Sequence, residues 1–221
     1  MNNQRVVEDL RFLQGKGHYT ANLPHDDVCH LVFARSTVAH AVIGNIDASA
    51  AEHAPGVVAV FTASNLGLDT QPPELPGLDA GMVRDLLARN HVRFVGEPLA
   101  AIVAHSAAEA ADAVELVEVT YEPLTVVVDV DDALSDRVLL HPGAGTNTAL
   151  EMGTGDAFDH DEVRVEATIR HLLSLGPSRG QQQHIVLSGR RDGAITGVEM
   201  EITQDAGAYP ASAPTCPTWR A

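Results

Sequence analysis

Arg93-Phe94-Val95-Gly96-Glu97-Pro98-Leu99-Ala100-Ala101-Ile102-Val103-Ala104-His105-Ser106-Ala107-Ala108-Glu109 is the stretch that sets the fold class. Gly96-Glu97-Pro98 is a turn signal, because glycine supplies unusual backbone angles and proline has no N–H to donate. The apolar residues 99–104 that follow predict a buried strand. Ser106-Ala107-Ala108-Glu109 is then a capping-box pattern, in which hydroxyl and carboxylate satisfy the first free N–H groups of a helix. Glu109, Asp112 and Glu115 recur every three residues as a wet stripe, and Ala108, Ala111, Val114 and Val117 are expected to form the apolar face that packs on a sheet. Residues 117–121 predict a further strand before Glu122-Pro123.

Upstream, the apolar runs 28–34 and 39–46 flank Arg35-Ser36-Thr37 and suit two paired strands. Asp47 is expected to cap a short helix over 48–53, and Pro55-Gly56 stops it before the β-branched run 57–61, read as a buried strand. The order is β-β-α-β. Pro72, Pro73 and Pro76 break every periodicity between residues 66 and 81, which predicts a surface loop.

Downstream, Pro142 and several glycines interrupt residues 136–155, where a domain boundary or linker is expected. A strand over 163–169 follows, then a hairpin. In it residues 183–188 pair with 194–203 across Arg190-Arg191-Asp192-Gly193, with glycine supplying the positive φ of the turn. Val198, Met200 and Ile202 alternate with Glu199, Glu201 and Thr203, which predicts one buried and one wet face.

The chain has 221 residues, 45% of them apolar but only 4% aromatic, so its core must be aliphatic. Such a core favours a mixed α and β fold. A formal net charge of −16 argues against nucleic-acid and anionic-membrane partners, both of which need a basic face. Cys29 and Cys216 lie far apart with no CxxC partner, so neither a disulfide framework, a zinc site nor an iron–sulfur site is spelled. Cys29 reads as a small core side chain. The N-terminus shows no apolar signal region and no stretch reaches the length of a membrane span, giving a cytoplasmic reading.

Other constellations favour structural readings. The 11 histidines form no HExxH or HxH pair, and His25/His30 and His160/Asp161/Glu162 lack helical support for a metal. Asp129-Val130-Asp131-Asp132 has Leu134 where a calcium loop needs glycine, so it reads as an acidic turn capping a short helix. Gly143-Ala144-Gly145-Thr146-Asn147-Thr148 lacks the Lys-Ser/Thr of a phosphate loop and reads as linker.

Taken in order, several segments carry a resemblance. They are Glu8-Asp9 with Arg11-Phe12 and Gly15-Lys16-Gly17-His18-Tyr19, then Arg35-Ser36 with Ala39-His40-Ala41 and Ile43. Next come Pro55-Gly56-Val57-Val58-Ala59-Val60, Val95-Gly96-Glu97-Pro98, and Val117-Glu118-Val119-Thr120-Tyr121-Glu122-Pro123-Leu124. Their joint order and spacing resemble the large subunit of the molybdenum hydroxylases, the aldehyde oxidase, xanthine dehydrogenase and aerobic carbon monoxide dehydrogenase family. The resemblance implies an α+β fold: an a/b hammerhead domain over 17–135, preceded by an arm (1–16). A linker (136–155) then leads to a mostly β piece (156–221) similar to the first molybdopterin-binding domain. Asp192-Gly193 with Asp205-Ala206-Gly207-Ala208-Tyr209 looks like a strand pair from that second domain. The resemblance also places the Gly96-Glu97-Pro98 turn near the substrate side, where Glu97 could be an acid or base. A turn role entering strand 99–104 is the preferred reading.

The departures are as informative. After Val165-Glu166-Ala167-Thr168-Ile169 the family continues with a Pro-rich segment, a cofactor-facing Gln and a Gly-Gly-Gly-Phe-Gly loop. This chain goes directly to Leu172-Leu173-Ser174-Leu175-Gly176-Pro177 and contains no Gly-Gly dipeptide. The comparison implies an internally deleted, truncated relative without the family's catalytic glutamate. We therefore assign no catalytic, cofactor-binding or metal-ligating residue from the sequence, and expect no cofactor on this chain alone. Intact relatives carry molybdenum on molybdopterin cytosine dinucleotide. Expected partners are FAD-binding and [2Fe-2S] subunits or a like chain. Two alternatives stand beside an inactive homologue: a non-catalytic subunit-interaction domain, and a product with no function whose strand edges aggregate.

Overall fold

The computed structural model describes residues 12–17, 28–73, 77–153, 162–173 and 179–209. The strands are β1 (His30–Arg35), β2 (Ala41–Asp47), β3 (Val57–Thr62), β4 (His91–Val92), β5 (Pro98–Ala104), β6 (Glu118–Pro123), β7 (Val163–Leu173), β8 (Arg179–Gly189) and β9 (Ile195–Gln204). The helices are α1 (Ser49–Glu52), α2 (Ala107–Val114) and α3 (Val130–Leu134). Strands assemble as three antiparallel sheets ordered β1-β5-β3, β4-β2-β6 and β7-β8-β9.

The run 99–104 lies where the sequence puts it, in the middle strand of the first sheet. Leu99, Ala100, Ile102 and Ala104 are fully buried. Neighbours on both edges satisfy the strand's backbone groups, so an all-apolar sequence carries no hydrogen-bonding penalty there. Successive side chains face opposite sides. Ala100 and Ile102 join Ala34, Val60, Ala48, Ala51 and Ala113 in the core beneath the helices. On the other face Ala101 sits between its cross-strand partners Phe33 and Phe61. An alanine between two rings leaves the volume that each ring fills. Leu99 packs instead in the core of the second sheet with Ala41, Ala88 and Val92. One strand thus joins two sheets.

β1 and β2 do not pair with each other, contrary to the expectation for the runs 28–34 and 39–46. β1 pairs with β5, and β2 pairs with β4 and β6. The reason is local. Ser36 donates its N–H to the Glu97 carbonyl at 2.9 Å and accepts from Gly96 N at 2.8 Å, so the chain after β1 stays bound to the turn before β5. The bend over 37–40 then carries it to the second sheet. β3 is an edge strand with Val58 half exposed, not the buried strand expected. Asp47 accepts from the N–H and hydroxyl of Ser49, at 3.0 and 2.6 Å, in an Asx turn ahead of α1. The helix begins two residues later with no side-chain cap.

The hydroxyl half of the capping box forms, and the carboxylate bonds the Ser106 hydroxyl rather than a backbone N–H. Ser106 accepts from Glu109 N at 3.2 Å and donates to the Glu109 carboxylate at 2.8 Å. The buried face is displaced, however: Ala110 and Ala113 are buried, whereas Ala108 and Ala111 are exposed. Alanines stand on every side of this helix, so hydropathy alone does not select among them. Val114 and Val117 do pack on the core as expected.

Asp129 caps α3, accepting from Asp131 N at 2.8 Å. Residues of the stretch expected as linker are internally tied. Asp136, at φ 52°, accepts from Thr146 Oγ1 and Asn147 N, and the Asn147 side chain reaches Leu140 N and the Ala133 and Val138 carbonyls.

In the third sheet β8 and β9 pair across a turn with Gly193 at φ 91°, as the sequence indicates. β7 extends to Leu173, facing Arg179 at the start of β8. By register Val165, Leu187 and Val198 lie side by side, as do Ala167, Ile185 and Met200. That face is incompletely covered: Val198 and Met200 are half-buried, and Val165, Ile169 and Leu187 are exposed.

Candidate functional site

The turn between β4 and β5 carries a buried carboxylate with both of its oxygens hydrogen-bonded. Glu97 is only 3% exposed. Its position follows from the sequence: Gly96 adopts φ 91°, and Pro98 starts β5, so the intervening side chain turns inward. One Glu97 oxygen accepts from Arg93 N at 2.5 Å, and the other accepts a short hydrogen bond from the Tyr209 hydroxyl. Arg93 closes the arrangement by donating to the Tyr209 hydroxyl at 2.9 Å and, through Nε, to the Leu140 carbonyl at 2.7 Å.

Tyr209 is enclosed on several sides. The edges of Phe94 and His141 meet its ring at centroid distances of 6.3 and 5.3 Å. The guanidinium groups of Arg93 and Arg84 lie 5.5 and 6.0 Å from its centre, within cation–π range. Burial, then the bond to Glu97, pushes the phenol well above the usual tyrosine range. The adjacent Ala208 carbonyl accepts from His141 Nε2 at 2.8 Å. Burial pushes the His141 imidazole below its ordinary value; the Ala208 bond raises it and the Arg93 charge lowers it further. His91 is likewise lowered, first by burial, then by Arg93 and His40.

Chemically this is a fastening. Both oxygens of Glu97 are spent on donors, and the phenol is held protonated, so the cluster orders the chain around it. The turn role of Glu97 is the one its bonds describe. The contributions of Arg93, His141 and Tyr209 were not legible in the sequence. Residues 205–209 follow β9 and are not a strand, and Asp192-Gly193 lie in the β8–β9 turn, so the strand pair that the resemblance implied is β8 with β9, of which β9 runs between those segments. The available signal was the isolated aromatic Tyr209 after Asp205-Ala206-Gly207-Ala208, in a chain with few rings.

Other sequence readings are placed as follows. Cys29 is exposed, not a core side chain, because it precedes β1, whose first residues are also exposed. Cys216, His25, His160 and Asp161 lie outside the described residues. His30 is exposed, and Glu162 accepts from Arg191 N at 3.0 Å. No group of three or more His, Cys, Asp or Glu side chains suited to a metal occurs among the described residues. A depression of about 370 Å³ lined by Gly77, Asp79, Thr146, Thr148, Ala149, Leu150 and Glu151 is open to solvent. No helix among the described residues is long and apolar enough to cross a membrane.

Residues 14–125, just over half the chain, match the family described as aldehyde oxidase and xanthine dehydrogenase, a/b hammerhead domain. The chain belongs to that hammerhead family. Its Gly96-Glu97-Pro98 turn and β5 lie within the matched region. The carbon monoxide dehydrogenase large chain of Afipia carboxidovorans is 47% identical over 129 residues, covering 57% of this chain and 15% of the relative. The 6-hydroxypseudooxynicotine dehydrogenase complex subunit gamma of Paenarthrobacter nicotinovorans is 36% identical over 172 residues, covering 74% and 22%. Among solved structures, a Cu,Mo-CO dehydrogenase in its carbon monoxide reduced state is similar with a TM-score of 0.54 and 36% identity, covering 75% of this chain and 21% of that one. The chain therefore spans less than a quarter of the length of these relatives, which are named as a large chain and a subunit of a complex.

Among the described residues, neither the open depression nor the Glu97 cluster fits the molybdenum cofactor that the family implies. A site for a group of that size buries most of the ligand's surface against convergent polar groups. The open depression offers no such enclosure, and the Glu97 cluster is filled by Tyr209.

Proposed function

We propose that these 221 residues serve as the hammerhead module of a molybdenum-hydroxylase large subunit, and are inactive by themselves. The observation that carries the reading is the match of residues 14–125 to the hammerhead family, with β5 and its flanking turn and helix folded as that stretch requires. In this reading residues 17–135 are the hammerhead domain, 136–155 connect it onward, and 156–221 are a piece of the first cofactor domain. The oxidoreductase chemistry belongs to molybdenum on molybdopterin cytosine dinucleotide in the intact assembly, with electrons leaving through [2Fe-2S] and FAD-binding subunits.

An internal deletion after β7 accords with the hairpin geometry. Leu173 faces Arg179 across β7 and β8, leaving only residues 174–178 to connect them. A connection that short has no room for a cofactor-cradling segment of the kind the family carries. The positioning such loops supply accounts for many powers of ten in rate. The experiment is a dye-coupled oxidation assay of the purified chain with aldehydes, purines and carbon monoxide. Turnover above the buffer rate with any of them refutes the reading.

A second reading, a non-catalytic subunit-interaction unit, is favoured by one observation. Val163, Val165, Ile169 and Leu187 leave apolar surface exposed on the third sheet. Capture of purified FAD-binding or [2Fe-2S] subunits by the immobilised chain supports it, and failure to bind either one contradicts it.

A further inference from the structure

Residues 205–209 leave β9 and insert into a socket formed by Arg84, Arg93, Phe94, Glu97 and His141. Two anchors hold them. Tyr209 is fixed by Glu97 and Arg93, and the Ala208 backbone is fixed by His141. A carbonyl can only accept, so His141 must present Nε2–H to Ala208. The neutral imidazole meets that need. A second proton would make His141 a cation, 5% exposed, facing Arg93.

Among the described residues, no counter-charge is free to offset it. The groups facing His141 are Arg93, from the turn before β5, and Tyr209, from the chain after β9. Glu97 and Arg84 bear on it through Tyr209, and Glu97 already holds Arg93 N–H and the phenol. Arg93 is fixed in place by its bond to the Leu140 carbonyl, one residue before His141.

We propose that this contact is an acid-released latch, in which protonation of His141 frees residues 205–209 from the hammerhead face. Released His141 takes a proton near the ordinary histidine value of 6.5, whereas burial against Arg93 opposes protonation in the docked form. Release is therefore coupled to proton uptake. The latch is fully closed above pH 6.5 and weakens as pH falls below it. One linked proton sets the limit: the released-to-docked ratio rises by up to about tenfold per pH unit.

The test uses the full chain labelled with carbon-13 on tyrosine rings. It has three tyrosines, so the Tyr209 signal is assigned by its loss in Tyr209→Phe. The edges of Phe94 and His141 shift that signal while Tyr209 is docked. Between pH 7.5 and 5 it is expected to move to the released position in the unmodified chain. In His141→Gln, whose amide still donates to Ala208 but does not titrate, it is expected to stay. Superimposable pH profiles for the two proteins overturn the proposal, as does a profile flattened by His91→Asn instead. Should His141→Gln fail to fold, histidine-ring NMR of the unmodified chain decides. A His141 midpoint below 6.5, coincident with Tyr209 release, supports the latch; a midpoint at or above 6.5, or one that does not coincide, overturns it.

Discussion

Glu97 accepts the phenolic hydrogen of Tyr209 across 112 residues of chain, joining the turn before β5 to the segment that leaves β9. A hydrogen bond from a neutral donor to a buried charge is stronger than one between neutral groups. Removing the donor leaves a carboxylate oxygen buried without its partner. Tyr209→Phe is therefore expected to lose about 1–3 kcal/mol in denaturant unfolding. A double-mutant cycle with Glu97→Gln should show coupling of at least about 0.5 kcal/mol. Additive effects of the two changes contradict a direct contact.

The same phenol makes stability fall at alkaline pH. Burial, reinforced by Glu97, raises its pKa from the ordinary 10.0, so the unfolded chain loses this proton first as pH rises. Between pH 10 and the folded value the native state binds more protons, and unfolding becomes progressively easier. A pH series of thermal melts should show this loss beginning near pH 10, and Tyr209→Phe should flatten it. An unchanged slope in the variant refutes the assignment.

Leu99 is fully buried and leaves its own sheet to fill the core beneath the second one. Leu99→Ala is expected to cost about 2–5 kcal/mol, since its neighbours Ala41 and Val92 are themselves tied into strands and cannot collapse freely. Chemical denaturation measures the loss. A cost below about 1 kcal/mol would mean that the two sheets are not joined through this side chain.

These elements also show where the sequence was readable. The 99–104 run, the Ser106 helix cap and the Gly193 hairpin are local signals, each decided by neighbouring residues, and all appear in the fold. The partner of β1 was not readable, because backbone bonds from Ser36 to the 96–97 turn are made across about sixty residues. The inward face of α2 was hidden by its alanines, which carry too little hydrophobic contrast to orient a helix. Glu97 was legible as a turn residue, whereas Arg93, His141 and Tyr209 come together only in three dimensions.

Gly56 offers a test of the helix placement. It stands at φ 76°, and a methyl group there would lie 2.1 Å from the Glu109 carboxyl carbon. Gly56→Ala must therefore displace Glu109 from its bond to Ser106, besides incurring about 1–2 kcal/mol of left-handed strain. Adding Glu109→Ala should recover the clash but not the strain, so the double variant falls between Gly56→Ala and the unmodified chain once the cost of Glu109→Ala is subtracted. Ser106→Ala alone should cost about 1 kcal/mol as a lost helix cap. Thermal unfolding of these four variants and the unmodified chain checks the order.

The proposed function requires that the hydroxylase chemistry of this family is not built by these 221 residues. Molybdenum measured per polypeptide by mass spectrometry, after expression in a host that makes the molybdopterin dinucleotide, tests it most directly. The expected result is far less than one metal atom per chain in protein that is folded and monodisperse. One tightly held molybdenum atom per chain, surviving gel filtration together with the pterin, would contradict it.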